Sequence, residues 1–439
     1  MTALLSLFMV YMIAVQAFAL DVGLGPGLSL KNGILYLFFA FLLMRYAINR
    51  DFKIELGGIL GSFALMIGYA LLSTVVILMV VQYPGYTLIK AMTQLKGLPF
   101  DFLAFYFVYF FGLKTQRSAM TVLTTILLVV VATNVLSGID GIGLYRLETI
   151  NRGEDESRVQ GIIGEHNQYG AFIAMFLPPL VAAVAASSGW RRLFWMGGTL
   201  VSFAVLVMTV SRGAFVGLAL AGIFGLIVFR RYLLNAKVIG WMIGGAAVVV
   251  VVLAVLLLTT HYGAVLSERL LGQSASTDVW EISSGRTELW ADAVRQMMRT
   301  PLSLVTGFGW ATYFVLPSAL PLAPHNTYLW YWFEIGLPGV LAFIAIFVQL
   351  ISVAMRCVEK ADPVLRGHFI GFAIGALALA ISIFFVEIYN PWPYFWAFAG
   401  VVMRLAVLSR ASQSATVVAP VAAVTVDRFG WNAASARQR

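Results

Sequence analysis

Apolar residues in this chain come in blocks of about 17 to 25, and a helix needs about 20 residues to cross a bilayer. That match decides what the chain can fold into. The run Val248 to Leu258 contains no polar residue at all. A membrane β-strand alternates apolar and polar residues, so runs of this kind exclude a barrel and call for helices. Composition agrees: 61% of residues are hydrophobic and 11% charged, where soluble domains carry about a quarter charged residues. The expected class is an all-α polytopic membrane protein, with one helical bundle over residues 1–408. Residues 409–439, rich in Ala, Val and Ser, are expected to form a disordered cytoplasmic tail.

Hydropathy divides the chain into about twelve transmembrane helices. They fall at roughly 3–20, 33–49, 58–81, 98–113, 119–136, 168–187, 193–210, 213–229, 238–260, 327–355, 369–388 and 392–408. The sequence Gly336-Leu337-Pro338-Gly339 is positioned to break the tenth. No Lys or Arg precedes the first apolar run, so residues 1–20 read as a span rather than a signal peptide. Positive loops stay cytoplasmic. With both termini in the cytoplasm, most Lys and Arg fall on that side and the opposite side is nearly neutral. The net charge of +9 is therefore a topology signal, and nucleic acid is not an expected partner. The single cysteine, Cys357, supports neither a disulfide framework nor a cysteine metal site.

Two external loops follow from this topology. One covers 137–167; the other, 261–326, is the large loop between spans nine and ten. A helix is expected in the second from near Thr287, with Ser284 or Thr287 as its cap. Leu289, Trp290, Ala293, Val294 and Met297 recur there at helical spacing, and Pro301 ends the run.

The residues able to carry chemistry lie on the external side. Arg212 stands in the tight turn Val210-Ser211-Arg212-Gly213-Ala214, with no acid within thirty residues on either side. An arginine at such a depth faces lipid headgroups, a cavity or an anion, and its planar fork suits phosphate. Arg286 opens the expected loop helix, where backbone N–H groups favour an anion; an ion pair with Glu288 is the competing reading. Arg158 has Glu154, Asp155 and Glu156 close by. His325, in Pro324-His325-Asn326-Thr327, sits where the longest polar interruption enters a span. Histidine titrates near neutral pH and can serve as a general base there. His166 has a similar place at the mouth of span six and also precedes an asparagine. Glu334, two turns into span ten, could orient a partner or be a satisfied structural acid. No Asp-x-Asp pair, phosphate-binding glycine loop or His/Cys/Asp cluster at ligand spacing is present, so no metal site and no cofactor are expected.

Four segments in order resemble the bacterial O-antigen ligase and polysaccharide polymerase superfamily. They are Arg158-Val-Gln-Gly161 running into His166-Asn167, then Ser211-Arg212-Gly213-Ala214, then Gly285-Arg286-x-x-x-Trp290. The fourth is His325-Asn326-x-x-Leu329-x-x-x-x-Glu334-x-Gly336. The resemblance covers roughly residues 140 to 345. It implies an inner-membrane glycosyltransferase, multi-pass, with its active site facing the periplasm. The donor would be a glycan on undecaprenyl diphosphate, transferred without metal and with inversion. On that pattern Arg212 and Arg286 bind the diphosphate and His325 is the base, with Arg158, His166, Asn326 and Glu334 in support. The acceptor is lipid A–core for a ligase, or a second lipid-linked repeat for a polymerase. Ligases often carry Thr-x-Thr-Arg-Gly where this chain has Thr209-Val210-Ser211-Arg212-Gly213. A lipid-linked glycan flippase is the rival of another class; it also needs cations for diphosphate, but has no fixed need of a base.

Overall fold

The computed structural model describes residues 1–418, apart from 19, 26–27, 50–54, 83–84, 148–157, 235–239, parts of 241–259, 268–284 and 317–321. The described chain is mostly helical. Its principal helices are α1 (Thr2–Phe18), α2 (Leu30–Asn49), α3 (Gly57–Val76), α4 (Leu88–Leu95) and α5 (Asp101–Phe111). There follow α6 (Gln116–Gly141), α7 (His166–Ala186), α8 (Gly189–Thr209), α9 (Arg212–Val228) and α10 (Arg286–Arg299). Last come α11 (Thr327–Val358), α12 (Pro363–Ser382) and α13 (Trp392–Val418). A small antiparallel pair, Gly23–Gly25 with Leu28–Ser29, turns the chain between α1 and α2.

Among the described residues, eight helices are long and apolar enough to cross a membrane, and α1 and α9 are shorter apolar helices. The twelve expected spans are therefore matched only in part. The block expected at 98–113 holds the eleven-residue α5, entered through a wider turn at Lys96–Phe100 that contains Pro99. The block expected at 238–260 lies largely outside the described residues. The last helix runs to Val418, past the boundary expected at 408, and the rest of the tail lies outside the described residues.

The bundle has an aromatic centre where α3, α5, α11 and α13 meet. Trp396 lies across Phe63 and stacks on Phe102, with ring centroids 5.0 and 5.4 Å away. Phe347 stacks on Phe395 at 5.1 Å. Lipid tails are as apolar as leucine, so helices in a bilayer associate through close packing and interhelical polar contacts. Both occur here. A side chain at Gly375 of α12 would collide with the Met175 carbonyl of α7, so the two backbones lie almost in contact. Between α6, α7 and α8, the Tyr169 hydroxyl donates to Asn134 Oδ1 at 2.8 Å, and Asn134 Nδ2 donates to Ser202 Oγ at 2.7 Å.

Three local departures from a simple hydropathy reading shape the site. The first was expected: α11 is kinked at Gly336, whose φ of 70° and ψ of 176° are non-helical. The break lets Phe308 N–H and Gly309 N–H reach the carbonyls of Phe333 and Glu334, at 2.8 and 3.0 Å. The second corrects the loop-helix cap. Gly285, with φ of 76°, precedes α10 and makes no side-chain cap, while Thr287 lies inside the helix; Ser284 is outside the described residues. A left-handed residue turns the chain into the helix without a capping hydroxyl.

The third matters most. The span expected over 369–388 ends at Ser382, and the chain from Ile383 to Pro391 leaves the helix. Hydropathy reads through Ile383-Phe384-Phe385-Val386 because all four are apolar. The carbonyls of Ile383 and Val386 are instead taken by Thr327, through its N–H and its hydroxyl, each at 2.9 Å. Pro391 and Pro393 just beyond oppose continuation of a helix.

Replacing Gly336 by alanine should destabilise this end of α11. The added Cβ would strike the Val305 carbonyl, and left-handed backbone at a non-glycine residue costs about 1–3 kcal/mol. A lower midpoint of thermal unfolding in detergent is the expected result.

Candidate active site

The segment 383–389 is the hub on which the starts of four helices converge. Thr327, first residue of α11, holds Ile383 and Val386. Gly213, second residue of α9, lies so close to Phe385 that an added Cβ would sit 2.6 Å from the phenylalanine Cβ. Trp290 of α10 meets Phe384 edge to face at 5.3 Å. Gln168 of α7 accepts from the Tyr389 N–H at 3.0 Å. Each helix start leaves backbone N–H groups without intrahelical partners and carries the positive end of its dipole. Gathering four of them makes one end of the bundle a field for anions.

His325 lies on this hub. Its Nδ1 is 3.2 Å from Oε2 of Glu387, whose side chain is only 10% exposed. The histidine backbone has φ of 48°, a conformation that persists only where its surroundings enforce it. Two contacts do so. The indole N–H of Trp290 donates to the Pro324 carbonyl at 2.6 Å, and Asn326 caps α11 by accepting from Leu329 N–H at 3.0 Å. Asn326, expected as a supporting residue, thus fixes the chain on one side of the imidazole. Burial, with the charges of Asp292 and Glu387 adding to it, pushes the Tyr313 phenol up from its ordinary range, so that group stays neutral.

Arg212 and Arg286 are both the first residues of their helices, α9 and α10, and both are half-buried. Trp290 lies one turn beyond Arg286 on the same face of α10, since residues four apart are neighbours on a helix. The contacts of Trp290 with Pro324 and Phe384 therefore bring the start of α10 to the hub. Gly213 does the same for the start of α9. Two guanidinium-bearing helix starts and the His325–Glu387 pair thus surround one short segment.

Arg158 and His166 belong to the scaffold beneath this arrangement. Arg158 is 5% exposed. Its Nε donates to the Thr209 carbonyl at 2.9 Å, and Nη2 to the Val210 carbonyl and Asn167 Oδ1 at 3.2 and 3.3 Å. Ser211 Oγ donates to the same Asn167 oxygen at 3.2 Å. The arginine therefore ties off the end of α8 at the turn that presents Arg212; Val210 there has φ of 47°. His166 Nε2 is 3.2 Å from Glu165 Oε1. That carboxylate is already engaged, accepting from the backbone N–H groups of Asn167 and Gln168 and from Asn167 Nδ2.

With this geometry in view, the comparisons with known proteins carry weight. Residues 197–344 match the family described as O-antigen ligase. The match covers about a third of the chain and supports membership of the O-antigen ligase and polysaccharide polymerase superfamily, whose members are membrane glycosyltransferases. No curated protein matches the chain. Arg212, Arg286, His325, Asn326 and Glu334 fall inside the matched residues; Arg158, His166 and Glu387 fall outside them.

Glu334 is deeply buried, at 1% exposure. Its Oε1 accepts from Tyr313 N–H at 3.2 Å, and its carbonyl accepts from Gly309 N–H. It pins the 308–313 loop to the kink of α11. Glu387 is the residue that sequence reasoning passed over. It was hidden as one acid inside an apolar block, and the only signal for it was that an acid there requires a partner. Among the described residues, no three His, Cys, Asp or Glu side chains gather as a metal site would require.

Arg158→Ala should expose the scaffold role. It leaves the Thr209 and Val210 carbonyls without their donor, at about 1–3 kcal/mol for each buried unpaired group. A clear drop in thermal stability in detergent is expected, and Arg158→Lys should recover only part of it.

Proposed function

We propose that this protein is an inner-membrane glycosyltransferase that moves a glycan from undecaprenyl diphosphate to an acceptor hydroxyl on the periplasmic side, acting as an O-antigen ligase with lipid A–core as acceptor. The observation that carries the reading is the His325–Glu387 pair at a hub ringed by helix starts, two of which begin with arginine. The family match supports a lipid-linked glycan as the substrate class.

The chemistry follows from the parts. The donor diphosphate lies across the starts of α9 and α10, where Arg212 and Arg286 add bidentate contacts to the backbone N–H field. Glu387 faces Nδ1 of His325, leaving Nε2 free to take a proton. That nitrogen removes the proton from the acceptor hydroxyl as its oxygen attacks the anomeric carbon. The bond from the anomeric carbon to the diphosphate oxygen breaks, and its electron pair leaves with undecaprenyl diphosphate. One displacement inverts the anomeric centre. The arginines stabilise the charge that grows on the leaving oxygen, and Glu387 stabilises the imidazolium, as a carboxylate does behind a catalytic histidine. The diphosphate leaves as an anion and needs no protonation, so one base suffices. His166 is the weaker candidate for that base, because the carboxylate beside it is engaged in capping α7.

Purified protein offered undecaprenyl-diphosphate glycan should extend lipid A–core. His325→Ala should lower the rate by about 10²–10⁴, the usual contribution of a general base. Glu387→Gln should lower kcat with little change in donor KM, because it disturbs the base and not the diphosphate. A ladder of lengthened lipid-linked chains, with no product on lipid A–core, would make the protein a polymerase. Lipid flipping without transfer would refute the enzyme.

Arg212→Lys keeps a charge but loses the planar fork. Donor KM should rise about tenfold or more, which corresponds to about 1.4 kcal/mol of lost binding. Wild-type kinetics in that variant would remove Arg212 from the diphosphate site.

A further inference from the structure

A second candidate site borders the end of the hub segment. Past Glu387, the chain runs through Tyr389 and Asn390 to Pro393, and these residues wall a cavity of about 300 Å³. Its other walls come from the end of α1, the start of α2, and the stretch from α4 into α5. The volume is at the lower end of the range of about 300–1,000 Å³ for small-molecule sites.

The lining is unusual for a bundle so apolar. Four side-chain amides, Gln16, Asn32, Gln94 and Asn390, meet there with Thr93, Lys31, Lys96 and Asp101, against the rings of Phe102, Phe105 and Tyr389. Amides both donate and accept, so they can match hydroxyl groups that do the same. The aromatic rings offer flat apolar faces to the C–H face of a sugar ring. Asp101 is 7% exposed and accepts from the Tyr36 hydroxyl, and Lys96 lies over the Tyr36 ring at 5.6 Å. Asp101 offsets part of the charge of Lys31 and Lys96 from within the lining, so the amides and rings carry most of its recognition surface and suit a hydroxyl-rich group.

Position adds a second argument. The starts of α9 and α10 contact the hub at Phe384 and Phe385, whereas the cavity is reached through Tyr389 to Pro393. Along the chain, Glu387, the partner of His325, comes between these two stretches. An inverting displacement needs the attacking hydroxyl to approach from the side opposite the leaving group, so donor and acceptor should flank the base. The Tyr389 ring is held against Trp330 at 5.1 Å, and its N–H is held by Gln168. The Tyr389 side of the cavity is thus held in place by two other helices.

We propose that this cavity is a saccharide-binding subsite that holds the sugar residues of the acceptor beside the attacking hydroxyl. The assignment to the acceptor rests on the transferase reading above; the binding of a saccharide does not. The cavity lies outside the family-matched residues 197–344, so acceptor choice is written into a different part of the chain from Arg212, Arg286 and His325.

The test uses the full chain purified in detergent, with the water-soluble core oligosaccharide as probe. Calorimetric titration should detect binding by the wild type. Gln94→Ala and Asn390→Ala, both at exposed positions, should weaken it about tenfold each, and Lys96→Gln serves as a third variant. In the transfer assay, the same variants should raise acceptor KM by a similar factor while donor KM stays near the wild-type value. Unchanged acceptor KM and unchanged oligosaccharide binding in all three, with transfer intact, would overturn the subsite and leave the transferase standing. Cavity-dependent oligosaccharide binding without any transfer would keep the saccharide site and overturn its assignment to an acceptor. If phosphatidylglycerol micelles, and not the oligosaccharide, bind in a manner that depends on Lys96, the cavity is a lipid-headgroup site and the proposal falls.

Discussion

Two hydrogen bonds from Thr327 hold the candidate site together. They draw the carbonyls of Ile383 and Val386 out of helical pairing and onto the start of α11. An apolar stretch that could have continued α12 becomes a turned, non-helical clasp, with Glu387 near its end. Within membrane-spanning protein, non-helical backbone is tolerated only where other groups satisfy it or where it lines a cavity. Both conditions hold here: Thr327 satisfies one part of the clasp, and the polar cavity borders the other.

The clasp also explains why so many helix starts meet at one end of the bundle. Each short external connection must end in a helix, and each start brings unpaired N–H groups that need an acceptor or an anion. Some are capped within the protein. Asn326 caps α11, and Glu165 caps α7. The starts of α9 and α10 have no side-chain cap, and an arginine opens each. The two starts of α9 and α10 that lack caps are thus the ones with cationic side chains, which is the arrangement an anionic substrate selects.

The supporting residues divide by physical role rather than by distance along the chain. Arg158 ties two carbonyls and an asparagine together so that the 209–211 turn can present Arg212. Glu334 holds the 308–313 loop through the Tyr313 N–H. Glu387 adjoins the imidazole itself. A scaffold of buried polar contacts surrounds a few partly exposed groups, because a reactive geometry needs rigid neighbours to hold it.

The sequence alone determined the class of protein, the place where α11 could break at Gly336-Leu337-Pro338-Gly339, the helix from near Thr287 to before Pro301, and the residues Arg212, Arg286 and His325 as candidates; that the break forms was decided by the structure. These were legible because each depends on local properties: block length, helical spacing, a cluster of Gly and Pro, or a charge placed against the hydropathy. The cap of α10 was misread, because Gly285 takes a backbone conformation that composition does not reveal. The end of α12 was misread because hydropathy measures burial, and Ile383 to Val386 are apolar whether the chain is helical or turned. Only the tertiary structure decided that this stretch unwinds, since its hydrogen-bond partner lies more than fifty residues away, at Thr327. For the same reason only the fold could pair His325 with Glu387, or set a cavity built from α1, α2 and α5 beside them.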